Sequence, residues 1–259
     1  STGLLLNGLT LRNAQTEHWH ADVPAPEVWF DAPDVLTGLD RFRAAPGHPS
    51  GSVSLDLAPI RESQRSATAG AGSKGVFFGN LLATEAGTLN GGAAAGVSAF
   101  LSFDRADQTD GARDNDLTRT AAGARVGVAS DTLQGDLVTA LSWREFGARG
   151  FYGTDPKYPA AERKSDALVA GTLRFTDDPL QPARLSAAWL RTEDTYWLDR
   201  RRHAFFENDH TTDFLALHGD ARRSFFEAFS VDLRADADFA PAFLALAGRL
   251  HGDLDAFAH

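Results

Sequence analysis

The sequence predicts a mainly β protein: part of an antiparallel transmembrane β-barrel, preceded by a small α+β domain. Three observations favour this class. Apolar and polar residues alternate over many segments, short and long connections alternate between those segments, and no run of about 18 apolar residues offers a spanning helix. A spanning strand needs only about ten residues with every second side chain apolar, so an apolar content of 43% is compatible with a membrane.

Composition narrows the function classes. A net charge of −10 and the lack of an extended Lys/Arg-rich run argue against a nucleic-acid partner. The absence of cysteine removes disulfides, thiolate catalysis and cysteine-ligated metals, and nothing in the sequence points to another cofactor. The chain also lacks methionine and begins with Ser1, so we expect a processed or truncated product.

The N-terminal part differs from the rest of the chain. Residues 1–61 hold six of the eleven prolines and mix short apolar runs with turn-rich segments such as 44–51. From residue 62 to residue 259 the pattern is strand, turn, strand. We therefore expect a small mixed domain over 1–61 and a β-barrel region over 62–259.

The alternation is clearest between Phe229 and Phe239, where odd positions are apolar and even positions are polar. A polar row of this kind cannot pack into a dry core, so we expect it to face a water-filled lumen while the apolar row faces lipid. A soluble antiparallel sheet with one wet face would show the same pattern. Strands are predicted near 67–83, 93–104, 117–129, 134–146, 164–175, 184–192, 212–221 and 227–239, with a weaker ninth near 243–251.

The connections between the predicted strands fall into two groups. Those near 130–132, 176–183 and 221–224 are short. Those at 105–116, 147–162 and 194–210 are long and polar or aromatic. This alternation is typical of an up-and-down outer-membrane barrel, which has tight turns on its periplasmic side and long loops outside.

Two long segments carry a family resemblance. FGARGFYGTDPKYPAAERKSDALVAGTLRF at 146–175 closely resembles a segment of the barrels of TonB-dependent outer-membrane receptors, with their aromatic turn, Tyr-Pro element and return strand. Residues 194–222 look like the next extracellular loop and return strand of that family. The matching positions of the second segment are Asn208, His210, Thr212 and Asp213.

Residues 4–38 are similar to the second half of the plug domain of the same family. An Asn7-Gly8 turn is followed by an apical loop, and then by a helix leading to a strand at Val35 and Leu36. The sequence departs from the family signature after that strand, where Thr37 and Leu39 replace an arginine and a proline. The first half of the plug, which would bind the energising partner, has no counterpart in these residues.

The resemblance implies a partial plug at 1–61 followed by the first eight or nine strands of an outer-membrane barrel. It implies a receptor rather than an enzyme, for ligand-gated uptake of a scarce nutrient such as a metal chelate, a cobalamin-like compound, a saccharide or a peptide. The implied partners are a TonB-type energy-coupling protein, outer-membrane lipid or lipopolysaccharide, and the small-molecule ligand. The alternatives are a non-transporting structural or adhesive barrel relative and a soluble β-sandwich binding domain.

The plug resemblance places one group of candidate ligand-binding residues at the apical surface beneath the extracellular opening. These residues are Thr16, His18, Trp19 and His20. His18 and His20 would share one face of a strand and could bind a metal with Glu17 or Asp22. A pair of histidines without a third placed ligand is a weak signal, so we expect polar loop residues and no metal site.

A second group of candidates lies in the aromatic loop. Phe151, Tyr152 and Tyr158 offer large rigid surfaces on which a ligand could stack. We expect Trp143, Trp189 and Trp197 to belong to the aromatic girdle at the membrane interface. The arginine triplet at 200–202 could attract an anionic substrate or a lipopolysaccharide phosphate, or be solvated. No hydrolase, metalloprotease or phosphate-loop motif supports catalysis.

Overall fold

A computed structural model of the 259-residue chain describes eight ranges of residues. They are 3–11, 23–38, 51–107, 114–150, 155–175, 182–203, 206–226 and 229–239. Within them the chain forms two sheets, one small and mixed, the other large and antiparallel. No helix in these ranges has the length and apolar character needed to cross a membrane.

The small sheet contains four short strands from the N-terminal part. They are β1 (Gly3–Leu6), β2 (Leu9–Leu11), β3 (Asp34–Leu36) and β4 (Ser52–Leu55), in the order β2-β1-β4-β3. Asn7 and Gly8 join β1 to β2 with φ angles of 48° and 80°, which suit the tight turn of a hairpin. The helix that the resemblance places before Val35 is, in the described residues, a single 3₁₀ turn at Glu27–Trp29.

The large sheet is an antiparallel meander in which each strand pairs with its neighbours in sequence. Its nine strands are β5 (Gln64–Ala71), β6 (Phe77–Thr88), β7 (Ala94–Ala106), β8 (Leu117–Ala129), β9 (Leu133–Gly147), β10 (Ala161–Phe175), β11 (Ala183–Trp197), β12 (Glu207–Phe226) and β13 (Phe229–Phe239). We call this sheet the wall. The predicted mainly β, antiparallel class is therefore confirmed. The change from one sheet to the other falls between Leu55 and Gln64, and the domain boundary at residue 61 stays a prediction.

Two details of the predicted strands are wrong. The segment 67–83 was expected to be one strand, but a turn at 72–76 divides it into β5 and β6, and Lys74 and Gly75 adopt positive φ angles there. The turn expected at 221–224 lies inside β12, which continues to Phe226. The weaker strand predicted near 243–251 lies outside the described residues.

From β6 onward connection lengths are sorted by end, as predicted, whereas the short turn at 72–76 is an exception, because it lies beside residue 107 at the same end as the long connections. Residues 107–116, 148–160 and 198–206 connect strands at one end of the wall, which we call the long-loop end. Residues 89–93, 130–132, 176–182 and 227–228 connect strands at the other, short-turn end. In a meander alternate connections lie at opposite ends, so the two groups occupy opposite rims of the wall.

The two faces of the wall differ in the way that the alternation predicts. Even-numbered residues of β9 to β12 point inward toward the small sheet, so that Leu168 is only 1% exposed. Odd-numbered residues point outward, and their apolar side chains are exposed. Examples are Leu137, Leu141, Trp143, Val169, Leu173, Trp189, Leu215 and Leu217. Among the described residues these apolar rows face no second sheet, which argues against the alternative of a β-sandwich.

Candidate functional site on the inward face of the wall

The β1–β2 hairpin is held against the wall by an apolar core. Its Leu6, Leu9 and Leu11 are buried together with inward residues of three wall strands. Those wall residues are Leu168, Ala170, Ala188, Leu190, Phe214 and Ala216. Full burial of a leucine contributes about 1.5–3 kcal/mol, so this core is a strong element of the contact between the two sheets.

A second apolar contact surrounds Trp29. The indole ring packs edge to face on Phe100 with 5.2 Å between ring centroids. Its Nε1 donates a hydrogen bond of 2.8 Å to Ser98 Oγ of β7, so the polar atom of the buried ring is satisfied. Leu57 and Val138 complete this cluster. The N-terminal part therefore touches wall strands β7 to β9 through Trp29 and Leu57, and strands β10 to β12 through the hairpin.

Arg125 of β8 binds the backbone of the N-terminal part from a buried position. Its Nη1 donates to the Trp29 carbonyl over 2.9 Å, and its Nη2 donates to the Ala58 carbonyl. Asp136 of β9 pairs with the same guanidinium at 2.6 Å, which compensates the burial of both charges. Arg125 therefore binds main-chain carbonyl oxygens. Because every residue has such an oxygen, this contact does not require a particular side chain at either position.

The hairpin turn meets a network of charges near the short-turn end. Asp56 lies 3.2 Å from Arg174 and 3.1 Å from Arg184. His218 is fully buried at its side chain, with Nδ1 2.8 Å from Asp236 and Nε2 2.5 Å from Asp220. The protonated ring satisfies this arrangement, because only the imidazolium donates from both nitrogens.

Gly8 is required where the turn meets this network. A Cβ at Gly8 would lie 2.6 Å from His218 Nε2, and the residue already has a φ of 80°. The close approach and the positive φ both favour glycine.

A polar group with four buried and two half-buried members lies on the same face toward the long-loop end. Its members are Ser142, Lys164, Asp166, Thr192, Asp194 and His210, which we call the lumen cluster. Asp166 accepts a hydrogen bond of 2.6 Å from Thr192 Oγ1 and lies 3.7 Å from Lys164 Nζ. His210 Nδ1 lies 3.0 Å from Asp194. The cluster offers charges of both signs, which suits binding of a polar ligand.

The described residues hold no group of three or more His, Cys, Asp or Glu placed to bind a metal ion.

The long connections are joined to one another by Arg200. Its guanidinium pairs with Asp116 of the β7–β8 connection at 2.9 Å and approaches Glu145 to 3.7 Å. This hydrogen bond holds the pKa of Asp116 below its ordinary value, although partial burial opposes the shift. Arg201 lies 3.6 Å from Asp114. The triplet is engaged in ion pairs within the loops, so a solvated side chain is the wrong expectation for Arg200, and anion binding by the triplet stays a prediction.

Most of the predicted site residues lie outside the described ranges. These are Thr16, His18, Trp19, His20, Phe151 and Tyr152. Tyr158 is described: it is half-buried, its N–H donates to the Asp155 carbonyl over 3.1 Å, and Lys157 Nζ lies 4.9 Å from its ring centroid. Tyr158 therefore sits at the long-loop end with one face occupied by a cation.

Two of the three tryptophans predicted for the aromatic girdle point outward, and their place at a membrane interface stays a prediction. Trp143 and Trp189 point outward and are exposed, as a girdle requires. Trp197 instead is buried and stacks on His203 with 4.6 Å between centroids, so its assignment to the girdle is wrong.

Sequence reasoning missed the buried charges of the site. Arg125, Lys164 and His218 were not singled out, although each occupies an inward position within a strand. A charged residue on the inward face of an alternating strand is the signal that would have found them.

Comparisons with known proteins agree with this architecture. No protein-family model matches the chain, and no curated protein matches it. The siderophore receptor PirA from Acinetobacter baumannii is similar in structure, with a TM-score of 0.60 and 15% identity over 92% of this chain and 40% of its own. The copper transporter OprC has a TM-score of 0.52 and 15% identity over 100% of this chain and 51% of its own. The chain thus spans about half or less of these proteins and shares the fold of β-barrel receptors.

Proposed function

We propose that this chain is part of a TonB-dependent receptor of the outer membrane, which takes up a scarce small nutrient. One observation carries the proposal: a small sheet is packed against the inward face of a meander whose outward apolar rows are exposed. A soluble sheet would bury such rows, whereas a barrel wall turns them toward lipid and lipopolysaccharide. The structural similarity to a siderophore receptor and a copper transporter supports this proposal.

The lumen cluster gives the receptor a place to sense a ligand that enters from the long-loop end. Asp194 and His210 are its partly exposed members on the inner wall, beyond the apolar core that holds the hairpin, whereas Lys164 and Asp166 are buried. We extend the site to the predicted residues Thr16, His18, Trp19, His20, Phe151, Tyr152 and Tyr158. The ligand class remains a metal chelate, a cobalamin-like compound, a saccharide or a peptide.

Release of the ligand would require a TonB-type coupling protein to displace the small sheet. The contacts to be broken are the leucine core around Leu9, the carbonyl contacts of Arg125 and the Asp56 ion pairs. A ligand alone would have to offset all three, which is consistent with a need for an external energy source.

The second candidate is a non-transporting structural or adhesive relative. It is favoured by Thr37 and Leu39, which depart from the plug signature of transporting receptors. Such a protein would keep the wall and its plug contacts but would not respond to the energised state of the cell.

Uptake by whole cells tests the proposal. Cells with and without the native protein would receive labelled ferric siderophore, cobalamin, copper, oligosaccharide or peptide, with and without a protonophore. The proposal expects accumulation of one probe that needs both the protein and the proton gradient. Adhesion or envelope defects without any energy-dependent uptake would support the structural alternative and overturn the transport proposal.

A further inference from the structure

A cavity lies between residues 58–62 and the inward face of β6 to β8, near the short-turn end of the wall. Thr84, Ser98 and Arg125 line it from the wall, and Trp29 lines it from the N-terminal part. Its volume is about 230 Å³, below the range of about 300–1,000 Å³ typical of sites for drug-sized ligands. The cavity is separate from the lumen cluster, which lies on β9 to β12, and it suits a ligand of a few heavy atoms.

Two hydroxyl groups on the floor of the cavity leave one hydrogen without an acceptor. Trp29 Nε1 donates to Ser98 Oγ over 2.8 Å, and Ser98 Oγ lies 2.8 Å from Thr84 Oγ1. Only one of the two hydroxyls donates in the second bond. The hydrogen of the other therefore has no acceptor among the residues that the structure describes. Thr84 is 8% exposed and Ser98 is 3% exposed, so this donor is buried.

Arg125 supplies a second buried donor. Its Nε and Nη2 donate to Asp136, Nη2 also donates to the Ala58 carbonyl, and Nη1 donates to the Trp29 carbonyl. A guanidinium has five N–H groups, so one N–H of Nη1 has no acceptor within the described part of the chain. Leaving a buried donor unsatisfied is unfavourable. Both donors therefore favour an occupant that accepts hydrogen bonds.

The charges around the cavity favour a neutral occupant. Asp136 lies 2.6 Å from the Arg125 guanidinium and compensates its charge, so a carboxylate in the cavity would lack a cation of its own. At the mouth, Arg61 and Glu62 are exposed and of opposite sign. The two groups that Arg125 already binds beside Asp136 are main-chain carbonyls, which are neutral acceptors.

The apolar side of the cavity is held in place by Ile60. A Cβ at Gly96 would lie 2.3 Å from Ile60 Cγ2, and one at Gly127 would lie 3.3 Å from Ile60 Cδ1. The isoleucine therefore fills the space left by two glycines of the wall and fixes residues 58–62 above the cavity. Pro59 and Val28 extend this apolar surface beside the donors.

We propose that this cavity binds an amide group, whose carbonyl oxygen accepts from Arg125 and from the free hydroxyl of the Thr84–Ser98 pair. Its carbon substituents pack on Ile60 and Pro59. Water suits the site less, because it must also donate two hydrogens, and the Trp29 carbonyl already accepts from Ala58 N–H and Arg125. The amide can come from a small molecule or from a peptide segment. The site does not depend on the proposed transport function, since all of these contacts lie within the described residues.

The test follows the indole N–H of Trp29 by NMR in the native protein in detergent micelles, with the signal assigned by its loss in Trp29→Phe. N-methylacetamide is the amide probe, acetate is an anionic probe of similar size, and N-acetyl-alanine-N-methylamide is the peptide probe. Thr84→Ile removes a hydroxyl and places additional carbon atoms in the cavity. Thr88→Ile is the matched control, because Thr88 lies on the same face of β6 outside the cavity lining.

N-methylacetamide should shift the Trp29 signal to saturation, and acetate should not. Thr84→Ile should weaken the amide roughly tenfold, as the loss of one hydrogen bond to a well-placed donor implies, and Thr88→Ile should leave binding unchanged. In the unmodified protein a nuclear Overhauser contact should join the probe's methyl protons to the Trp29 indole. Tighter binding of the peptide probe would assign the site to a peptide segment, and equal or weaker binding would assign it to a small amide.

Four results would overturn the proposal. They are a shift that grows linearly without saturation, tighter binding of acetate than of N-methylacetamide, equal effects of the two threonine variants, and absence of the Overhauser contact. The last result would mean that water or other atoms of the protein occupy the cavity. It needs no substitution, so it decides the question even if Thr84→Ile fails to fold.

Discussion

The outward face of β10 allows a direct measurement of whether the wall lies in a membrane. Its outward residues from 167 to 175 are small or apolar, and Gly171 is the central position of that row. A strand rises about 3.4 Å per residue, and at a tilt of about 45° this gives about 2.4 Å of depth per residue. Val169 is therefore roughly 5 Å from the centre, whereas Ser165 is roughly 15 Å away. The apolar band is about 25 Å tall, so Ser165 lies outside it.

Val169→Arg should therefore destabilise the folded protein far more than Ser165→Arg. An arginine near the midplane costs about 2–4 kcal/mol, and one near the interface costs about 0–1 kcal/mol. The larger cost corresponds to a roughly 30- to 900-fold change in the unfolding equilibrium. Ser165 also faces Glu193 across the strand pair, and this carboxylate offers the new arginine an opposite charge.

Guanidinium unfolding of the native protein in phospholipid vesicles, followed by tryptophan fluorescence, measures both variants. If Val169→Arg is as mild as Ser165→Arg, the face or the depth assigned to β10 is wrong. A small effect of both substitutions would mean that this face is wetted by water rather than lipid.

Three further predictions concern the inward face and the loops. Leu168→Ala should destabilise the protein by about 2–5 kcal/mol in the same unfolding assay, because the side chain is buried against the hairpin; a loss below about 1 kcal/mol would contradict that packing. The Arg200 pair lowers the pKa of Asp116, so its contribution is complete above the ordinary aspartate pKa of about 3.9 and is lost as the pH falls through the folded-state pKa. In an NMR titration Arg200→Gln should raise that pKa, and an unchanged pKa would exclude the pair. Gly147→Ala should displace the β7–β8 connection, since its Cβ would meet the Asp114 carbonyl at 1.9 Å, and hydrogen exchange there should increase; unchanged exchange would show that the approach is looser.

The faces of the strands could be predicted from sequence because alternation is a local property. It assigned the outward rows of β9, β10 and β11 correctly. The alternation pattern wrongly predicts a turn at 221–224, because the segment is polar, whereas the structure continues β12 through it. At the end of the wall both faces of the strand are exposed, so Arg222 and Arg223 follow each other and the alternation ends, although the pairing with β13 continues.

The members of the lumen cluster could not all be predicted, because the register between neighbouring strands cannot be read from the sequence. Lys164 and Asp166 are adjacent on one face of β10, which alternation can show. Their partners Thr192 and Ser142 come from the strands on either side, and their choice depends on the register. Register is set by turn geometry and connection length, and a slip of one residue would turn the other face inward. Partners across strands could therefore not be predicted.

Most charged residues of the wall that contact the N-terminal part also have an oppositely charged partner on the wall. They would keep that partner if the small sheet moved away, as the proposed function requires. Arg125 keeps Asp136, Arg184 keeps Asp220, and His218 keeps two carboxylates, all on the wall itself. A buried ion left without its partner costs about 3–5 kcal/mol, and these pairs avoid that cost when the small sheet moves. Asp56 would move with the small sheet into water. The apolar core around the hairpin has no such substitute partner, so we infer that the leucine contacts, rather than the charges, set most of the energy required for displacement.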